Sequence, residues 1–198
     1  MGCARRLTIW VLLLVGLAVA GACETTVERQ EFPEFTYLHH PSIPLDVARI
    51  TLEEAYRSPL TAPNIEHLFP TSPAEAVGRW VADRLVAVGV QRLARVTLFD
   101  ASVVATRLER HEGIEDLLWV EPNERIDARI KISVEILDET GSSLAFTTAE
   151  VLRSRSLAED LTLNERDAVY LELTEALMND LNATLEQNIR DYLGTYVR

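Results

Sequence analysis

The chain has 198 residues, of which 25% are charged and 47% are hydrophobic, with 8 glycines and 8 prolines. This composition excludes a collagen, a low-complexity linker and a wholly disordered polymer, and the length predicts a single folded domain. The 19 basic and 31 acidic residues give a net charge of −12, which disfavours a nucleic-acid binder, and two cysteines are too few for a disulfide scaffold.

Residues 1–22 have the order of a secretory signal peptide. A short stretch with two arginines precedes an apolar run over residues 7–20, and small residues follow before Cys23. The apolar run is shorter than the about 20 residues that a membrane-spanning helix needs. We therefore expect cleavage before Cys23 rather than retention of this segment as an anchor.

The segment Ala20-Gly21-Ala22-Cys23 resembles the bacterial lipobox, in which small residues precede a cysteine. The resemblance implies that Cys23 carries a diacylglycerol group and becomes the first residue of the mature chain, although the lipobox prefers leucine where Ala20 stands. An ordinary signal peptidase would cut the same bond, which leaves open a soluble periplasmic protein. Glu24 replaces the aspartate of a signal for inner-membrane retention, so the outer membrane is favoured over the inner one.

Residues 23–44 are polar and then aromatic, carry three prolines and show no helical or alternating period. This pattern predicts a tether that holds a globular body, residues 45–198, clear of the lipid surface. Aromatic residues near the end of the tether could pack back on that body. A first strand is expected over residues 45–56, and Glu54 on its apolar face predicts that it ends early or lies at an edge.

Two capping boxes predict the starts of two helices. The first, Ser72-Pro73-Ala74-Glu75, begins a helix that should run to about Val88 and stop at Gly89. The second, at residues 162–165, begins a long helix that should run to about Leu193. Apolar residues recur on one face of each helix, which predicts packing on a sheet. They are Val77, Val81, Leu85 and Val88 in the first helix, and Val169, Leu173, Leu177, Leu181, Leu185, Ile189 and Leu193 in the second.

Three more strands are predicted between the helices. Residues 95–108 are rich in valine and threonine, and an irregular acidic insertion follows at residues 109–124. Residues 125–137 alternate apolar and polar side chains, the pattern of a strand with one dry and one wet face. Residues 138–142 form a hairpin turn, and residues 143–153 return antiparallel.

The predicted order is strand, helix, strand, strand, strand, helix, which gives an α+β two-layer sandwich with a four-stranded sheet and both helices on one face. This order over residues 45–193, together with the lipobox-like segment, resembles small envelope lipoproteins of Gram-negative bacteria, namely lipopolysaccharide-assembly lipoproteins and auxiliary lipoproteins of ABC transport systems. The stretches PLDVARI and APNIEHLFP are also similar to an uncharacterised family of proteobacterial lipoproteins. The resemblance implies a location in the cell envelope but no activity.

The sequence carries no pattern that favours catalysis or metal binding. His39-His40 and His67 have no second ligand pair at helical spacing, and adjacent histidines in an extended chain point to opposite sides. There is no GxSxG, P-loop or GxGxxG motif, and a lipid on Cys23 would block that thiol. We therefore expect a protein that is not an enzyme and holds neither a metal nor a cofactor.

One candidate binding site is a basic patch on the wet face of the sheet. Arg129, Lys131 and Arg153 are predicted to project there together, where they could bind a lipid head group or an acidic partner. Asp127 and Glu135 are predicted on the same face, so plain cross-strand ion pairs are the alternative.

The other candidate is the acidic insertion, in which Leu117, Leu118 and Trp119 either fold under the body or contact a partner. The expected function is a lipoprotein at the periplasmic face of the outer membrane that scaffolds or assists an envelope transport or assembly complex. The alternatives are a periplasmic module that binds a lipid or small ligand between sheet and helices and, third, a hydrolase. An inner-membrane location also stays open.

Overall fold

The computed structural model describes residues 32–108, 122–158 and 160–198. Cys23 and the predicted partner residues Leu117, Leu118 and Trp119 lie outside the described residues. The strands are β1 (Ile43–Leu45), β2 (Arg49–Glu54), β3 (Leu85–Ala87), β4 (Leu93–Asp100), β5 (Val103–Arg107), β6 (Pro122–Leu137) and β7 (Ser143–Ala158), and the helices are α1 (Pro73–Arg84) and α2 (Leu163–Leu193). The α+β class with two helices is confirmed for the described part of the chain.

The central sheet is built around the long hairpin of β6 and β7. β7 pairs antiparallel with β6 along its length, while β4 and β5 pair with β6 one after the other on its other side. β2 lies parallel beside β4, at an edge of the sheet, as the interruption by Glu54 predicted. Gly141 in the hairpin turn has a φ of +85°, which glycine adopts without steric cost.

The predicted four-stranded sheet is wrong in its strand count, since the central sheet has five strands within the described residues. The expected strand over residues 95–108 is interrupted between β4 and β5, shortly after the pairing register with β6 shifts between Leu98 and Asp100. Asp100 causes the break locally, because its carboxylate accepts a hydrogen bond from the backbone N–H of Ser102 at 2.9 Å. The chain turns there and places Ala101 in the core.

The predicted first strand and first helix both end differently from the expectation. β1 and β2 are separate strands, and β1 pairs parallel with β3 in a second, two-stranded sheet. α1 therefore stops at Arg84 instead of Val88, because the next three residues pair with β1. Gly89 lets the segment after β3 approach the segment after β1 closely, since a Cβ atom there would lie 2.6 Å from the backbone of Asp46.

Both predicted capping boxes are confirmed. The side chains of Ser72 and Thr162 each accept a hydrogen bond from the N–H three residues later, and the carboxylates of Glu75 and Glu165 each accept one from the N–H of the cap residue. α2 ends at Leu193 as expected, and its apolar stripe is buried from Leu173 onwards. Val88, which was expected on the buried face of the first helix, is 51% exposed.

The two helices pack side by side on one face of the central sheet. The indole N–H of Trp80 in α1 donates a hydrogen bond to Asn182 of α2 at 2.8 Å. Gly78 of α1 lies over Leu52 of β2, and α2 packs on β6 and β7. No helix in the described part of the chain is long and apolar enough to span a bilayer.

Candidate functional site

The predicted basic patch does not form, because its three residues lie on two faces of the sheet. Residues directly opposite each other in an antiparallel pair point to the same face. Arg153 is opposite Ala128, which is buried under the helices, whereas Arg129 and Lys131 are opposite Leu152 and Glu150 on the face that neither helix covers. We call this second surface the open face.

On the open face, the two basic residues are engaged by acids. The Arg129 guanidinium donates to Glu150 at 3.1 Å, and the Lys131 ammonium lies 3.8 Å from the same carboxylate. Asp100 is 4.0 Å from Arg129. The alternative interpretation, cross-strand ion pairing, therefore describes these two residues, although the acids are Glu150 and Asp100 instead of Asp127 and Glu135.

Arg153 performs a different task on the helix side of the sheet. Its guanidinium makes two hydrogen bonds to the carboxylate of Asp180 in α2, at 2.5 and 2.7 Å. These bonds raise the pKa of Arg153 above its usual value. Arg155 pairs with Glu172, about two helical turns before Asp180, so both arginines link β7 to α2 and their charges are already paired.

The last residues of the predicted tether are part of the folded body. Residues 33–41, which we call the strap, lie along α1. Three polar contacts hold them there. Glu34 pairs with Arg79 at 3.0 Å, the N–H of Tyr37 donates to Asp83 at 2.8 Å, and the buried guanidinium of Arg84 donates to the carbonyl of Pro41.

A cavity of about 290 Å³ lies between the strap and α2, and we call it the strap cavity. Buried side chains of Tyr37 and Met178 line it, together with the half-buried Phe35, while the exposed carboxylates of Glu34 and Glu175 stand at its rim. Burial raises the pKa of Tyr37 above its usual value, and the nearby carboxylates of Asp83 and Glu175 raise it further.

A second cavity, of about 430 Å³, lies beside the loop between β2 and α1. Its central group is Glu66, which is only 3% exposed. The Glu66 carboxylate accepts hydrogen bonds from the hydroxyl of Tyr56 at 2.6 Å and from the N–H of Val103 at 3.2 Å. Burial would raise the pKa of Glu66, but hydrogen bonds from Ser58, Tyr56 and the backbone outweigh burial and hold that pKa below its usual value.

Glu66 thus has a structural role at the edge of the sheet, where it accepts hydrogen bonds, and its lowered pKa does not suit a general acid. Burial and the hydrogen bond to Glu66 raise the pKa of Tyr56, so this hydroxyl stays protonated as a donor. His67 lines the same cavity. Within residues 32–108, 122–158 and 160–198, no group of three or more His, Cys, Asp or Glu side chains could hold a metal ion.

Sequence reasoning weighed His39 and His67, which line the two cavities, only as metal ligands, and it did not predict either cavity. Glu66 and Glu175 look like surface acids in a chain with 31 acidic residues. Tyr37 is one of the aromatic residues near the end of the tether that could pack back on the body, and it is buried there. A useful signal was the aromatic content of that segment, because Phe35 and Tyr37 would be costly to expose on a solvated linker.

No family model and no curated protein match the chain. It is similar in part to a minor lipoprotein from Acinetobacter baumannii, with 16% identity and a TM-score of 0.38 over 74% of this chain and 92% of the other. The rare lipoprotein B from Shewanella oneidensis gives 9% identity and a TM-score of 0.35, over 70% of this chain and 92% of the other. A Xanthomonas campestris protein of the family DUF330 gives 13% identity and a TM-score of 0.32, over 76% of this chain and 90% of the other.

Two of these three structures are named lipoproteins. At these scores the similarity assigns neither an activity nor a partner to the chain.

Proposed function

We propose that the chain is a non-enzymatic lipoprotein, anchored through Cys23 at the periplasmic face of the outer membrane. Its body serves as a scaffold or accessory subunit of an envelope transport or assembly complex. The observation that carries the proposal is the filled interior of the fold. Ile130, Ile132, Leu177 and Leu181 meet between sheet and helices with no measurable exposure.

The filled interior disfavours a lipid-binding module with its pocket between the two layers. Neither of the cavities described above lies there: one is beside the strap and the other beside the loop before α1. A ligand pocket in a packed core would require cavities that well-packed interiors do not keep.

The strap supports an anchored scaffold, because it determines where the folded body is attached to the predicted tether. From Cys23 to Pro33 the chain has 10 residue steps, which reach at most about 35 Å. The body would therefore stay within that distance of a lipidated Cys23. The uncovered open face would then be available to a protein partner.

Substitution of Cys23 tests the anchor. Cys23→Ala should move the protein from the membrane fraction to the soluble fraction of the envelope, since two or more acyl chains are needed for durable anchoring. The matched control is Cys3→Ala, which removes a cysteine from the predicted signal peptide and should leave fractionation unchanged. A Cys23→Ala protein that still sediments with outer membranes would contradict the proposal.

Site-specific photocrosslinking tests the scaffold. A photoreactive residue at Phe146 on the open face should give one discrete adduct with a membrane protein in the native host, and Cys23→Ala should abolish it. The control position is Tyr192 on α2, which is 67% exposed, against 64% for Phe146. Equal adducts from both positions, or none from Phe146, would argue against a docked partner on the open face.

A further inference from the structure

The outer edge of β7 presents backbone groups that β6 does not use. β7 is 16 residues long, and within the described residues it pairs with β6 alone. The N–H of Arg129 in β6 donates to the carbonyl of Ser102 at 2.9 Å, away from β7. Because Arg129 is opposite Leu152, these two residues exchange no hydrogen bonds, and Leu152 directs its N–H and C=O to the outer edge, as does every second residue of β7. We call the N–H groups of Phe146, Thr148, Glu150 and Leu152 the outward amides.

A contact from α2 agrees with this direction. The side-chain amide of Asn188 donates to the carbonyl of Thr148 at 2.9 Å. This carbonyl therefore accepts a hydrogen bond from outside the sheet, as it would from the N–H of an added strand. No strand or loop of the described residues pairs with the backbone of this edge.

Two other edges of the central sheet are protected from an added strand. The loop between β2 and α1 covers β5, because the N–H of Ile65 donates to the carbonyl of Val103 at 2.9 Å. The N–H of Ala105 donates to the carbonyl of Pro63 in the same loop, also at 2.9 Å. β2 is only 6 residues long and ends in two glutamates. Short length, charge and a covering loop are common means by which proteins block a sheet edge.

The edge of β7 lacks these protections. No residue from Ser143 to Ala149 is charged, and Phe146 and Leu152 are 64% and 56% exposed on the open face beside the edge. Backbone groups give affinity when an extended segment adds to a sheet edge, and side chains beside that edge give specificity. We propose that the outer edge of β7 binds an extended segment of a partner protein as an added antiparallel strand. This inference rests on the proposed function for the existence of a partner and adds the chemistry of its contact.

The position of α2 argues against a second copy of this chain as the occupant. α2 lies over β7 more than over β6, and its side chains Asn188, Asp180 and Glu172 contact β7. Neighbouring strands are about 4.8 Å apart, whereas packed helices need about 8–10 Å. Antiparallel pairing of two β7 strands would bring two α2 helices too close on the same side of the sheet. The occupant is therefore a segment with no helix covering it on that side.

The charges near the edge indicate the side chains of this segment. Towards α2, the arginines of β7 are already paired with Asp180 and Glu172. On the open face, Glu150 is already paired with Arg129 and Lys131. A charged segment would therefore gain no unpaired partner there. In an antiparallel pair, the residues that bond to the outward amides have their side chains on the open face, so we expect apolar residues at these positions and neutral polar residues between them.

Amide hydrogen exchange of the full chain in detergent, followed by NMR, tests the proposal with a synthetic peptide of alternating valine and threonine. The peptide is long enough to pair from Phe146 to Leu152, and N-methyl groups on its threonines block its second edge and limit self-association. We expect the outward amides to exchange at least tenfold more slowly when the peptide is bound. The amides that β7 already bonds to β6 should not change.

The control peptide has the same sequence with an N-methyl group on every residue, so it keeps the side chains but has no N–H to donate, and should give no protection. Unchanged exchange of the outward amides, or equal protection by the control peptide, would overturn the proposal. Protection that rises with protein concentration in the absence of peptide would assign the edge to a second copy and would overturn it as well.

Phe146→Ser tests whether the side chains of the open face contact the added strand. We expect at least fivefold weaker peptide binding, whereas Tyr192→Ser, at a similarly exposed position on α2, should change the Kd less than twofold. Thermal unfolding shows that both variants are folded. Equal affinities of the two variants would reject the proposal. Because purified protein is used, a failure here is distinguishable from a failure of the anchor at Cys23, which the membrane fractionation measures.

Discussion

The two faces of the β6–β7 hairpin carry different side chains, although both are formed by the same two alternating strands. Under the helices, β6 supplies isoleucine and valine side chains, and β7 supplies the small residues Ala145, Thr147 and Ala149. On the open face, the larger apolar side chains Leu144 and Phe146 are exposed among ion pairs. The comparison teaches that burial in this fold depends on the space that α2 leaves, and not on the hydrophobicity of each residue alone.

The two faces also differ in how they accommodate charge. On the open face, Arg129 and Lys131 share one carboxylate in contact with water. On the helix side, the two arginines of β7 described above have specific partners: Arg153 has Asp180, and Arg155 has Glu172. A charge without such partners should be excluded from the helix side.

Ile130→Asp should lower the free energy of unfolding more than any other substitution considered below. It places a carboxylate without a partner among fully buried residues, which should destabilise the fold by more than about 3 kcal/mol. The control is Ser133→Asp, the same new side chain on the open face, with an expected cost below about 1 kcal/mol. Urea unfolding measures both. Similar stabilities of the two variants would mean that the assignment of the faces is wrong.

Glu66→Gln tests whether a buried carboxylate is tolerated because its donors satisfy it. The amide keeps the shape but loses acceptors, so we expect a loss of about 1–3 kcal/mol in unfolding free energy at pH 7. The pKa of Glu66 is below its ordinary value of 4.5 in the folded chain. Its stabilisation is therefore complete above about pH 4.5 and is lost as the pH falls through the folded pKa.

Unfolding of both proteins at pH 7 and at about pH 3 checks this sign, since the advantage of the unsubstituted chain over Glu66→Gln should shrink in acid. Glu54→Gln, at an exposed rim position of the same cavity, serves as the control. A difference between Glu66→Gln and the unsubstituted chain that grows on acidification would contradict the assignment.

A double-mutant cycle between Arg153 and Asp180 should give a smaller effect. We expect a favourable coupling that weakens at high salt, because both side chains are partly exposed. The comparison cycle pairs Arg153 with Glu150, which is three residues away but on the other face, and should give no coupling. Coupling of Arg153 to Glu150 as strong as its coupling to Asp180 would place Arg153 on the open face.

Phe146→Ser should have the smallest effect on folding. The side chain is 64% exposed, so the expected change in unfolding free energy is within about 0.5 kcal/mol. Thermal unfolding measures this change, with Ile132→Ser on the helix side as the strongly destabilised counterpart. A large loss for Phe146→Ser would show that the open face is covered by part of the fold.

Local patterns in the sequence predict much of the fold. The alternation in β6, the two capping boxes and the four-residue stripe of α2 each depend on neighbours along the chain, and each is observed. The end of α1 depends on pairing with β1, forty residues earlier, which no local pattern indicates. Local patterns also do not predict which face of β7 is buried. Leu144, Phe146 and Leu152 favour burial of the face that the structure leaves open.

The candidate sites were harder to predict than the fold. Predicting whether Arg153 and Arg129 share a face of the sheet requires knowing which residues of β7 point toward α2. That choice depends on how β7 packs against α2. The strap cavity depends on contacts between residues 33–41 and two helices that are far away in sequence. Such sites arise from tertiary packing, so residue types and spacings indicate their chemistry only after the fold is known.

The position of β1 has a mechanical consequence for the described part of the chain. β1 is hydrogen-bonded to β3 on one side and meets Val197 on the other, with the N–H of Arg198 donating to the carbonyl of Pro44. A pull on Phe32 would load the contacts of the strap first, then these short pairings, and the five-stranded sheet last.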